Sequence, residues 1–157
     1  MTPIEEIHIE RECLRLSNAF AYLIDRREYR ALAQLFTEDG LFERDGIDMV
    51  GRKEIEESLA TSQAFTRHVT TGHHFTLLNE TAARAESVNR SYFAMPTGDP
   101  PFSLKPDQML ILDLTDLYRK TDFGWKIAER RARTVFVPDA LRPMLGFEAK
   151  SPASSQQ

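Results

Sequence analysis

The second half of this chain holds four consecutive long segments rich in β-branched and aromatic residues, at 66–78, 82–95, 108–120 and 125–137. No other feature constrains the fold as much. The separators carry turn chemistry: Asn79-Glu80, then Pro96-Thr97-Gly98-Asp99-Pro100-Pro101, then Thr121-Asp122-Phe123-Gly124. Connectors this short can join only antiparallel neighbours, because a parallel crossover needs a dozen or more residues. Strands about twice the usual length of five or six residues bend or bulge, and so wrap around something.

What they wrap around comes from the first half. From Pro3 onward, Ile9, Cys13, Leu16, Phe20 and Ile24 recur at steps of three and four, the stripe of an amphipathic helix that ends near Asp25. A second helix is predicted over 28–36, burying Tyr29, Leu32, Leu35 and Phe36 and stopping at Asp39-Gly40. A brief strand at 41–43, a turn at Asp45-Gly46, a loop ending at Gly51 and a third helix over 52–62, with Ile55 and Leu59 on one face, complete the half. The expected fold is therefore α+β: N-terminal helices packed on a strongly curved antiparallel sheet that forms a cone around an internal apolar pocket. Its 157 residues suit one core. The domain is expected over 1–148, with a Ser- and Gln-dominated disordered tail over 149–157.

Charge narrows the partners. Twenty basic and 24 acidic residues give a net charge of -4, interleaved along the chain, which argues against nucleic acid. The one cysteine, Cys13, lies in the helical stripe and reads as a buried small hydrophobe; it has no partner for a disulfide. The N-terminal stretch is acidic where a signal peptide is basic, and no long uncharged apolar run follows, so a cytoplasmic protein without membrane partners is expected.

Alternation along the strands sorts the polar candidates. His68 shares a face with Thr70, Gly72, His74 and Thr76, which would let His74 also enter the pocket. Asn89 stands in a small polar row with Ser87 and Ser91, and Leu110, Leu112 and Leu114 form an apolar row followed by Asp116 and Tyr118. On the last strand Arg131 and Arg133 share a face with Ile127, so Arg133 could hold a ligand's carboxylate or a developing oxyanion. Phe20, Ile24, Phe36, Leu112 and Leu114 are the expected apolar lining, with Tyr22 or Tyr29 nearby. The strand histidines are split between two faces and lack acidic or cysteine company at ligand spacing, so no metal is assigned. Asp25 with Glu28 also fits an N-cap for the second helix, and His68 could be a core or a surface histidine.

Four stretches in order, AYLIDRREYRALAQLFTEDGLFERDG, VGRKEIEESL, TRHVTTGHHF and GWKIAERRARTVF, resemble the SnoaL-like branch of the nuclear-transport-factor-2-like superfamily over about residues 4 to 145. The stretches LIDRREY and TRHV are similar to the places where members such as scytalone dehydratase and hexachlorocyclohexane dehydrochlorinase carry a catalytic Asp and His. The resemblance thus implies a dyad of Asp25 and His68. Ile24 stands where the dehydratase has Tyr, and Phe20 where the dehydrochlorinase has Lys. It further implies a cofactor-independent lyase or isomerase for a small, apolar, oxygenated ring compound, in a homodimer or larger homo-oligomer. Two alternatives come with it: a non-catalytic subunit similar to the β subunit of ring-hydroxylating dioxygenases, serving a heteromeric enzyme, or a ligand-binding module without turnover.

Overall fold

The computed structural model describes residues 1–95, 98–105, 107–143 and 145–147. The elements run α1 (Pro3–Asp25), α2 (Tyr29–Ala33), β1 (Phe36–Arg44), β2 (Ile47–Val50), α3 (Gly51–Ala60), β3 (Phe65–Asn79), β4 (Ala82–Ala94), β5 (Met109–Thr121) and β6 (Gly124–Phe136), then a short 3-10 turn at Asp139–Leu141. The expected tail at 149–157 lies outside the described residues. One open, curved sheet has the order β2-β1-β6-β5-β4-β3. The long strands form the expected meander, but the sheet is not wholly antiparallel: β1 lies parallel to β6 and turns back on β2.

Two local expectations change. The predicted second helix stops after Ala33, and the chain is already extended at Phe36, whose carbonyl is fixed by the Arg52 guanidinium at 2.9 and 2.8 Å. Gly40 is then a mid-strand residue and no helix stop; a Cβ there would come within 2.9 Å of the Phe36 Cβ. Asp45-Gly46 does make a turn, but the loop expected after it is the strand β2.

Of the predicted stripe on α1, Cys13 and Phe20 are buried and Ile9, Leu16 and Ile24 partly so, and Ser17 is buried beside them. Phe20 meets Phe36 and Phe42 edge-on at 6.1 and 5.4 Å between ring centres. Phe36 is fully enclosed in this cluster, so it belongs to the packed core and not to the pocket wall. Beneath the helix Arg130 of β6 and Asp116 of β5 form an ion pair whose side chains are 2% and 1% exposed. Arg130 gives Nε to Asp116 Oδ1 at 2.7 Å and a terminal nitrogen to Oδ2 at 2.6 Å and to Ser17 Oγ on α1 at 2.9 Å. Tyr118 donates its hydroxyl to Asp116 Oδ2 at 2.8 Å, and the guanidinium lies 4.2 Å from the Phe20 ring centre.

Bulges set which side chains face this interior. In β3, Gly72 takes φ +67° and the pair Gly72-His73 opposes the single residue Ser87. In β6, Ala128 is the extra residue between the pairs Leu117–Glu129 and Tyr118–Ile127. Each bulge reverses the alternation beyond it.

Removing one member of the buried pair leaves an uncompensated charge, so Arg130→Met should cost about 3–5 kcal/mol in urea unfolding. The double variant Arg130→Met, Asp116→Leu should recover much of that loss. A single variant as stable as the parent would show that the pair is not what seats α1.

Candidate active site

α1 ends at Asp25 and leaves through a tight corner. The Glu28 amide donates back to the Leu23 carbonyl at 3.0 Å, with Arg27 at φ +60° where glycine is usual. A left-handed arginine costs about 1–2 kcal/mol. Its side chain holds it there, donating to the carbonyls of Gln63 and Ala64 at 2.7 and 3.0 Å. That clamp fastens the helix end to the segment entering β3, where Thr66 and His68 face inward.

Asp25 is their meeting point. Its Oδ1 accepts from the Thr66 hydroxyl at 3.0 Å and lies 2.6 Å from His68 Nδ1; its Oδ2 accepts from the His68 backbone amide at 2.9 Å. The His68 and Asp25 side chains are 16% and 8% exposed. Asp25 does not cap α2, whose first turn has no side-chain cap. Burial works to raise the Asp25 pKa, but the bonds from the His68 ring and amide, the ring's charge and the Thr66 hydroxyl together outweigh it and hold the carboxyl below its ordinary value. An ionised carboxylate only accepts hydrogen bonds. Nδ1 therefore carries a proton, which makes Nε2 the nitrogen that can take up or release one.

His68 lines both chambers of a cavity. The outer chamber, of about 260 Å³, is walled by Ile24, Tyr29, Leu59, Phe93, Leu110, Leu141 and Leu145. The inner one, of about 50 Å³, is lined by Phe20, Phe42, Leu112, Leu114, Asn89 and Arg130. They share Ile24, Arg44, Leu59, His68 and Ser91. Polar groups cross the inner chamber in a chain, Ser91 Oγ donating to Asn89 Oδ1 at 2.6 Å and Asn89 Nδ2 donating to Thr70 Oγ1 at 3.0 Å. Arg130 spends Nε and one terminal nitrogen on Asp116 and Ser17; the other terminal nitrogen makes no bond among the described residues.

His68, Phe20, Ile24, Asn89, Leu112 and Leu114 thus line one cavity, with Asp25 bonded to His68 at its wall. Besides Phe36, three expected lining residues lie elsewhere. Tyr22 projects to solvent with the Arg26 guanidinium 3.5 Å over its ring. His74 is turned outward by the Gly72 bulge, which brings His73 inward instead, its Nε2 buried with no partner among the described residues and burial pushing its pKa down. Arg133 is exposed opposite Asp113, because the Ala128 bulge gives the inward place to Arg130. The sequence does hold a signal for Arg130: Asp116 and Arg130 are opposite charges on neighbouring strands, and they prove to be register partners. Burial pushes the Cys13 thiol up to about 12, so it stays protonated. Among the described residues no group of three His, Cys, Asp or Glu is placed to hold a metal, and no helix is long and apolar enough to cross a membrane.

A family model described as a SnoaL-like domain matches residues 5–131. No curated protein matches the chain. Among solved structures, a Mycobacterium tuberculosis protein of unknown function is similar with a TM-score of 0.71 and 25% identity, covering 87% of this chain and 78% of its own. A protein from Novosphingobium aromaticivorans provisionally assigned as a scytalone dehydratase superposes with a TM-score of 0.74 at 22% identity, over 100% of both chains. A second from that organism, described as NTF2-like with a cystatin-like fold, gives 0.71 at 18% identity over 92% and 93%. At these identities the two Novosphingobium structures speak for the fold.

The lowered Asp25 pKa has a definite sign in stability. The unfolded chain takes up this proton first, near pH 4, so the carboxylate's stabilisation is complete above that value and is lost as pH falls through the lower folded-state pKa. Urea unfolding from roughly pH 6 to pH 3 should show the parent's advantage over Asp25→Asn shrinking as acid is added. A gap that stays constant with pH would mean that ionisation of Asp25 contributes nothing to folding.

Proposed function

The chain belongs to the SnoaL-like family, and from that premise we propose that its cavity catalyses a cofactor-independent elimination or isomerisation of a small, largely apolar, oxygenated ring compound. The observation that carries the reading is the 2.6 Å contact between Asp25 and His68 Nδ1, which leaves Nε2 as the base at an apolar cavity. His68 Nε2 removes a proton from a carbon made acidic by a neighbouring carbonyl. The C–H electron pair becomes the new C=C bond as a β-hydroxyl departs, taking the proton held on Nε2 to leave as water, or Nε2 returns that proton to another carbon in an isomerisation. Asp25 keeps the ring in the right tautomer and stabilises the imidazolium. The free terminal nitrogen of Arg130 and the Thr70–Asn89–Ser91 chain are the donors available to a developing oxyanion. The apolar walls keep bulk water from the carbanion and orient the ring. The full-length likeness to a provisionally assigned scytalone dehydratase fits a dehydration.

Self-association is part of the same proposal. Val69, Val88 and Phe136 stand exposed on the outer face of the sheet, away from α1, and a second copy would cover them. Only monomer by light scattering at micromolar concentration would refute this.

The dyad is tested by following small β-hydroxy ketones and enones in deuterated buffer by NMR. The parent should turn one of them over or exchange its acidic hydrogen, and His68→Ala should lower the rate by about 10²–10⁴ while ligand affinity changes by no more than a few fold. Asp25→Asn should lose less, and His74→Ala and Arg133→Ala should match the parent. Turnover undiminished in His68→Ala would overturn the mechanism, and binding without turnover would favour the ligand-binding alternative.

A further inference from the structure

Arg44 is the last residue of β1 and continues the inward phase of Gly40 and Phe42. It lies at the rim, exposed, yet it lines both the outer and the inner chamber, as His68 does. Its neighbours have used up the nearby acceptors. Glu43 serves the Gly46 amide at 2.6 Å and Arg131 at 3.5 Å; Asp45 accepts from the Thr134 amide at 2.7 Å and its hydroxyl at 2.8 Å; Asp25 is committed to β3. Among the described residues Arg44 has no ion pair and no side-chain hydrogen bond, whereas the cavity's other arginine, Arg130, is paired with Asp116. A guanidinium offers a planar fork of donors that fits a carboxylate at two points, and apolar walls beside it raise the value of that contact.

We propose that Arg44 is a specificity-determining residue and that the ligand is a small cyclic acid, its ring among the apolar walls and its carboxylate on Arg44 at the rim. The proposal rests on the cavity of the preceding reading and adds the charge of its ligand. The outer chamber of about 260 Å³ is a little below the range of drug-sized sites, roughly 300–1,000 Å³, which limits the apolar part to one or two rings. With the carboxylate at the rim, the far side of the ring is left to His68, which lines the same chambers.

The test uses two probes of nearly equal shape, 2-naphthoate and 2-naphthamide, titrated calorimetrically into the whole protein. The parent should bind the acid about tenfold or more tighter than the amide. Arg44→Gln should lose that preference by weakening the acid alone, and Arg44→Lys should keep part of it. A thermal melt checks that each variant folds. Equal affinities in the parent, an acid preference that survives in Arg44→Gln, or no binding of either probe would each overturn the proposal. His68→Ala separates the two readings. If it binds the acid as the parent does but no compound is turned over by the parent, Arg44 stands and the catalytic reading falls; if the acid preference vanishes only in His68→Ala, the carboxylate sits on the dyad and Arg44 is not its partner.

Discussion

The architecture turns on one buried contact, the guanidinium of Arg130 on the carboxylate of Asp116. Burial opposes the charge on Arg130, but Asp116 beside it, with two hydrogen bonds, more than restores it and leaves its pKa raised. A buried pair of this kind adds little net stability over a well-packed apolar pair, yet it tolerates few alternative arrangements. Here it fixes three things together: the register of β5 against β6, the seat of α1 through Ser17, and the place of the Phe20 ring. Tyr118 completes the acceptor demand of Asp116, and its own pKa is driven well up by burial and then by that negative neighbour. With α1 held at its middle, its end falls where Asp25 can reach β3.

At that end the local energetics run against the helix. A carboxylate in the last turn meets the negative end of the helix dipole, and the following corner puts an arginine in a left-handed conformation. Neither arrangement serves α1 by itself. Both are offset by bonds to the sheet, from Thr66 and His68 to Asp25 and from Arg27 to the carbonyls of Gln63 and Ala64. Local cost held in place by tertiary contacts is the mark of a site whose geometry matters more than its stability.

The long strands were legible because period-two patterning and turn residues are local signals: segments read at 66–78 and 125–137 occupy Phe65–Asn79 and Gly124–Phe136. The parallel pairing of β1 with β6 was not, since it joins residues some ninety positions apart and leaves no local trace. Within the strands, alternation predicts the facing of side chains as far as the first bulge. β4 and β5 carry no extra residue on the inward rows, and Asn89, Leu112 and Leu114 sit where alternation puts them. In β3 the count holds through Thr70 and fails after Gly72; in β6 it holds through Ile127 and fails after Ala128. The exchange of His74 for His73 and of Arg133 for Arg130 thus has the same cause in both strands. Gly72 gave warning, as glycine inside a strand often marks a bulge, whereas Ala128 gave none.

The same bulges explain why the cavity is asymmetric in charge. Had β6 run without Ala128 as an extra residue, an inward Arg131 would have faced the sheet interior and Arg130 would have been released to solvent, leaving Asp116 and Tyr118 without their cation. Had β3 run without the Gly72 bulge, His74 would have pointed inward and His73 outward, and Phe75 and Leu77, which now pack on the core, would have turned away from it. The Gly72 and Ala128 bulges therefore let the lower half of the sheet close an apolar core around the buried Arg130–Asp116 pair. The upper half, ahead of the bulge in β3, keeps the phase that presents Thr66, His68 and Thr70 to the cavity. The chain separates its packing from its chemistry by a change of strand phase, and His68 lies four residues before that change.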